Sequence, residues 1–390
     1  MPEYFSVGHD DADSVVDSGL LASSSDETIA CLFCGIGDAR NLLATLTHIS
    51  ISQLSMPGLS TKRFHFTLVD IHPAVFARDL LIFRLLLDSA REPKTRQRET
   101  IVTLSYVYSA HVMPQWAYDR LQVGLSSVCE DLGKEDVMDI FYIPQDARTK
   151  IARYVEFWQK PVSAQYGTAK LRELVRAETL QSRAKDAAML QGSELSSPPG
   201  CDYNSPDALG YVQFTAMLPH MDLLKKYEPV LLNHFTAYTK RRSPTTARAV
   251  NEYLDAKWQP NVTFVDSDFE NKRENKHSAQ MDSEPYKVVC DLFANIPATV
   301  AGNTTGILNH LCGFFEFIST WTQKIQQQLT VEVVLGEMVD TFERLSRGIL
   351  RQKQERMGRL NPAVFPNSYD RVHMSNIPFV SHYLRKLQRP

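Results

Sequence analysis

Between Cys31 and Asp70 the chain reads CLFCGIGDARNLLATL, then a polar loop, then FHFTLVDIHP. The run Thr28 to Cys34 has the apolar content of a buried strand, and the residues from Asp38 to Ile49 carry helical spacing at Leu42, Leu43, Leu46 and Ile49. The stretch Ser50 to Arg63, with Pro57 and Gly58, reads as a loop before a second strand over Phe64 to Val69. Two such strands joined through a helix form a βαβ unit, which demands a parallel sheet with helices against it. Gly35 and Gly37 let the backbone turn tightly against a ligand, and a carboxylate closing the second strand, Asp70, can accept hydrogen bonds from ribose hydroxyls. This is half of a nucleotide-cofactor pocket. A plainer reading stands beside it: the glycines permit only a sharp turn, Asp38 caps the helix with Arg40 solvated or paired, and Asp70 caps the helix opened by Pro73.

The chain is long enough, at 390 residues, for two or three domains or for one with a large insertion. Hydrophobic content of 43% and charged content of 22% are those of a globular protein. A net charge of -3 gives no electrostatic footprint for nucleic acid or an anionic membrane, so neither is expected as a partner. The most apolar stretch, Leu80 to Leu87, is broken by Arg84 and is far shorter than the ~20 residues of a membrane span. Six scattered cysteines and a start without basic or apolar leader character predict reduced thiols in the cytoplasm. Residues 1–27 read as a flexible acidic tail.

Residues 28–90 form the first part of the sheet domain, with a helix apolar nearly all round over Ala74 to Ser89. From 91 to 302 the alternation of strand and helix stops. Helices are predicted over Ala117 to Leu132, Ala147 to Trp158, Thr168 to Leu190 and Tyr211 to Tyr227, with loops over 192–210 and 267–285. In 303–390 a helix over Asn303 to Leu329 precedes a buried-type strand, Val331 to Leu335, its helix, and a last strand over Tyr369 to Met374. The helical middle is thus an all-helical insertion between the second and third strands of one sheet, placed to cover the edge where ligands of such folds bind.

In order, Gly35 to Asp38, Asp70, Gly336-Glu337 and Ser375-Asn376-Ile377-Pro378 resemble the first four motifs of class I S-adenosylmethionine-dependent methyltransferases. More closely, GIGDARNLL, VDIHPAVFARDLLIF and FPNSYDRVHMSNIP resemble a family catalogued as domain of unknown function 4470, found in fungal proteins and in dynein axonemal assembly factor three. The resemblance implies an α/β, Rossmann-like (class I methyltransferase-like) partial parallel sheet with a large all-helical insertion. It also implies S-adenosylmethionine as cofactor, with Gly35, Gly37 and Asp38 beside its methionine part, Asp70 on the ribose and Gly336 and Glu337 along the adenine. Asn376, Pro378 and Phe379 resemble the N-P-P-Y/F motif that positions a target amino group, where alignment alone can supply much of a rate enhancement. The chain departs from the methyltransferase pattern at Phe33, where an acidic residue is usual, at Ala39, where a third glycine is, and at Ile377. It also stops soon after the fourth strand, as a truncated sheet would. These departures favour a non-catalytic interaction or assembly factor with protein partners. The alternative is a methyltransferase acting on an amino group.

Other candidates have structural explanations. Cys31 and Cys34 would point to opposite faces of a strand, with no further ligands to complete a zinc site. The histidines show no metal-binding spacing, and no cysteine and histidine series of the MYND type carried by some relatives occurs. Arg344, Arg347, Arg351, Lys353, Arg356 and Arg359 read as a solvated basic face. The sequons at Asn261 and Asn303 read as chance matches, and the aromatics of the middle region as core.

Overall fold

The computed structural model describes residues 8, 11–24, 27–161, 167–177, 205–265, 285–293, 306–351 and 358–374. Strand β1 (Thr28–Cys34) leads through helix α2 (Arg40–Ser55) into β2 (Arg63–Asp70), as the sequence requires, with a short helix α1 (Ser18–Ser23) ahead of it. Helices α3 (Pro73–Arg91) and α4 (Lys94–Ser109) follow, then a strand β3 (Val112–Pro114), α5 (Gln115–Leu132), β4 (Phe141–Tyr142) and α6 (Gln145–Trp158). Later come β5 (Trp258–Pro260), the helix Ile307–Ile325, β6 (Leu329–Leu335), the helix Met338–Ser346 and β7 (Arg371–Met374). Five strands form one sheet in the order β4-β6-β2-β1-β7, and every pairing in it is parallel. The protein is a mixed α/β fold around this sheet.

Strand alternation sorts the side chains onto two faces. Ile29, Cys31 and Phe33 of β1 join Phe64, Phe66 and Leu68 of β2 and Val331 and Val333 of β6 in the main core, beneath α2, α3 and the helix Ile307–Ile325. The other residues of β1, Ala30, Leu32 and Cys34, share a smaller core with Val69, Phe342, Leu345 and Tyr369. Cys31 and Cys34 therefore do face opposite ways; both are buried, and burial pushes the Cys34 thiol up to about 12. From β1 the chain steps outward to β2 and β6, then returns to β7 on the opposite side of β1. Such a reversal opens a crevice outside the carboxyl ends of the strands, where open α/β sheets bind ligands.

Three expectations are corrected. The insertion is not all helical: β3 and β5 pair antiparallel, and β4 adds an edge strand to the main sheet. β4 is too short to show periodicity, while Pro114 and Pro260 end β3 and β5 and read as breakers. The predicted helix Tyr211 to Tyr227 is two helices, Pro206–Phe214 and Met221–Tyr227, parted where Thr215 takes φ 53. Within the expected flexible tail, residues 11–24 pack against the body, with Ala12, Val16 and Leu21 buried. Their apolar side chains are too sparse to signal structure alone. They bury because α2 offers buried polar acceptors: Asp13 N donates to Asn41 Oδ1 at 2.8 Å and Val15 N to Thr45 Oγ1 at 3.0 Å.

The predicted loops lie largely outside the described residues, at 192–204 and 267–284. Among the described residues no helix is long and apolar enough to cross a membrane.

Candidate functional site

The turn after β1 has the backbone that its glycines suggest. Gly35 and Gly37 take φ 70 and 58, and Ala39 follows with φ 58, a left-handed conformation in a residue that carries a side chain. A left-handed alanine costs roughly 1–2 kcal/mol. The turn is tied to β2 through Gly35 N, which donates to Val69 O at 2.8 Å, and Gly37 N, which reaches Asp70 Oδ2 at 3.4 Å. Asp70 Oδ1 accepts from His72 N at 3.1 Å, and its backbone carbonyl accepts from Gly336 N at 2.9 Å. Gly35, Gly37, Asp70 and Gly336 are thereby brought together at the carboxyl ends of β1, β2 and β6. Burial raises the Asp70 pKa, against the pull of the His72 and Gly37 amides.

Asp38 stands one residue before the N-cap of α2, and its Oδ1 accepts from the first helical amide, Arg40 N, at 3.3 Å. Ala39 stands at the N-cap position, without a side-chain hydrogen bond, and the Asp38 carboxylate also grips the Arg40 guanidinium. Arg40 Nη2 lies 2.8 Å from Asp38 Oδ2 and its Nε 3.0 Å from Oδ1, with both residues at most 3% exposed. Burial alone would raise the Asp38 pKa, but the charge and hydrogen bonds of Arg40 outweigh it and hold the carboxyl below the usual aspartate range. Arg40 Nη1 also reaches Asp291 Oδ2 at 3.3 Å. The N-terminal segment closes over this pair. Gly8 N donates to Asp38 Oδ2 at 3.0 Å, so near that a Cβ on Gly8 would lie 2.7 Å from Arg40 Nε. Ala12 N donates to Asp291 O at 2.8 Å.

Glu337 caps its own helix, accepting from Asp340 N at 2.9 Å. His72 caps α3, as Ala74 N donates to its Nδ1 at 3.2 Å, so Asp70 supports that helix start only through the His72 amide. Asn376, Pro378 and Phe379 lie outside the described residues.

Two buried polar groups escaped the sequence analysis. On α3, Arg78 and Asp79 sit among apolar residues of the first turns and are only 1% and 2% exposed. Arg78 Nη2 donates to Val107 O at 3.1 Å and Tyr108 O at 2.9 Å, at the end of α4, and its guanidinium lies 5.5 Å from the Tyr108 ring centroid. Both Asp79 oxygens and the Tyr108 hydroxyl are buried without a hydrogen-bond partner. Burial, reinforced by Asp38 and Asp70, pushes the Asp79 carboxyl well above the usual range.

The second group corrects the solvated basic face. The Arg351 side chain is only 8% exposed and holds Glu332 with two hydrogen bonds of 2.7 and 2.8 Å, while Thr67, His65 and Tyr369 complete the cluster. Arg359 donates to Gln326 O at 2.8 Å. Arg344 and Arg347 do lie exposed, paired along the helix, and Lys353 and Arg356 fall outside the described residues. A cleft of about 730 Å³ opens beside this cluster, between the start of α6 and the β6 end.

No curated protein and no solved structure matches the chain. Residues 6–112, which hold the N-terminal segment, β1, the glycine turn, α2, β2, α3 and α4, match the family model described as Domain of unknown function (DUF4470).

Proposed function

We propose that this chain is a non-catalytic interaction or assembly factor, built on a Rossmann-like, class I methyltransferase-like partial sheet and working among protein partners in the cytoplasm. The observation that carries this reading is the Asp38 carboxylate, which the resemblance sets beside the methionine part of a cofactor and which is taken by Arg40 and the Gly8 amide. Asp70 and Glu337 are likewise engaged with amides of the chain itself. With these acceptors engaged, the turn offers fewer free groups to S-adenosylmethionine than the resemblance implies.

The strand order supports a second reading. Without the β4 edge, the sheet runs β6-β2-β1-β7, which in chain order is the 3-2-1-4 arrangement of a doubly wound dinucleotide-binding sheet. An amino-group methyltransferase would use the same crevice, with Asp70 as the ribose acceptor. Calorimetric titration with S-adenosylmethionine and its demethylated product separates the two. The interaction-factor reading expects no heat and no thermal shift at millimolar ligand. Saturable binding that Asp70→Ala abolishes would establish the enzyme reading instead.

A further inference from the structure

We propose that the turn between the helices Pro229–Arg241 and Pro244–Lys257 is a docking surface for an acidic peptide segment of a protein partner, gripped by Lys240, Arg241 and Arg242. The first observation is uncompensated charge. From Pro229 to Asn251 the chain has no acidic residue, and all three cations are exposed. The acids further along the second helix are already held: Glu252 lies 3.5 Å from Arg248, and Asp255 pairs with Arg172. Among the described residues, Lys240, Arg241 and Arg242 form no ion pair. A fourth cation adjoins them, since Arg176 donates to Gln213 O and the Gln213 side chain accepts from the Tyr238 hydroxyl, just ahead of Lys240, at 3.1 Å.

The second observation is the backbone of Arg242. Lys240 and Arg241, in the last turn of their helix, also serve the negative end of its dipole, which is a structural explanation for both. Arg242, at the cap, takes φ 45, a left-handed conformation that glycine adopts freely and a side chain opposes. Its amide closes the helix by donating to Tyr238 O at 2.7 Å, a bond that glycine would make equally. The arginine is thus kept at a conformational cost, and an outlier of this kind points to a role for its side chain. Carboxylates are the chemistry that answers, because each guanidinium can take one through two parallel hydrogen bonds. A nucleic acid suits the turn less: the rings beside it, Phe235 and Tyr238, are buried and offer no stacking face. A lipid surface suits it less too, as no large apolar side chain is exposed between Leu231 and Val250.

Such a partner presupposes the interaction-factor reading; the cofactor titration tests that reading and peptide binding tests the turn, so either can fail alone. The experiment is fluorescence anisotropy of a labelled peptide of glutamate and aspartate with the full chain, beside its glutamine and asparagine counterpart, and with oligothymidylate and phosphatidylserine vesicles as competitors. The acidic peptide is expected to bind saturably and to weaken as salt rises, and the neutral one is not expected to bind. The triple reversal Lys240→Glu, Arg241→Glu, Arg242→Glu should weaken binding at least about tenfold, whereas Arg344→Glu with Arg347→Glu, exposed cations elsewhere, should leave it unchanged. Arg242→Gly should weaken binding about threefold yet raise the urea midpoint, which an arginine kept for stability would lower. The proposal is overturned if the acidic peptide does not bind, if the neutral peptide binds as well, or if the triple reversal weakens binding no more than the control reversal. It is equally overturned if Arg242→Gly lowers the urea midpoint, or if either competitor displaces the peptide at a lower concentration than unlabelled peptide does.

Discussion

Asp38 and Arg40 are two residues apart in sequence and share one buried ion pair, so each is costly without the other. Asp38→Asn should destabilise the protein by about 3–5 kcal/mol, because it strands a buried guanidinium, while the double change Asp38→Leu with Arg40→Met should recover much of the loss. Urea denaturation of the two variants checks this. Ala39→Gly should stabilise by about 0.5–1 kcal/mol, the relief of a left-handed alanine less the added freedom of glycine in the unfolded chain; the urea midpoint would rise. Asp79 carries the opposite pH signature to an ordinary surface acid. Its pKa is raised in the folded state above 3.8, so its contribution is fully present below that value and is lost as pH rises through the folded pKa. Asp79→Asn should therefore flatten the decline in Tm that sets in as pH rises above 3.8. These residues were visible in the sequence as charges beside glycines or inside an apolar helix, but their partners, Gly8, Asp291 and Tyr108, are distant in the chain.

The segment between the helix Met338–Ser346 and β7 is fastened across the sheet by Arg351, which binds Glu332 on β6, Asn367 at 2.8 Å and Tyr369 at 3.2 Å. Burial alone would raise the Glu332 pKa, but Arg351 and His65 bring it down to about 2. Its stabilisation is thus fully present above about 4.5 and is lost as pH falls from there towards 2. Thermal melts from pH 6 to 2 should show this fall in Tm in the wild type, and Arg351→Met should abolish most of it while costing about 3–5 kcal/mol at neutral pH. At the other end of the fold, Asn261 is fully buried and its Nδ2 donates to the carbonyls of Tyr106, Val107 and Ala110 at the close of α4. The sequon there is a helix cap. While α2 runs on to Ser55, six residues into the stretch read as a loop, because Ser50, Ser52 and Ser55 look like loop residues in sequence, β1, β2 and α3 were legible to within a few residues. β4 and the Arg351 clamp were not, because a two-residue strand has no period and a buried arginine among exposed ones has the same letter.

At the scale of the molecule, the sequence showed a parallel sheet split by an insertion, and the order β4-β6-β2-β1-β7 agrees with that reading apart from the edge strand supplied by the insertion itself. What it could not show is that one apolar core runs through the N-terminal segment, both parts of the sheet and the helices between them. That continuity depends on Ala12, Val16 and Leu21, whose flanks are acidic and polar. It also decides the site, since the segment that buries them lies across α2 and the glycine turn. The central claim is that this cover is part of the folded structure. Native-state hydrogen exchange of the Ala12, Asp13 and Val15 amides tests it most directly, because their acceptors lie on the body: Asp291 O, Asn41 Oδ1 and Thr45 Oγ1. Protection matching that of the α2 amides is the expected result. Exchange at the rate of an unstructured chain, with α2 still protected, would contradict the account.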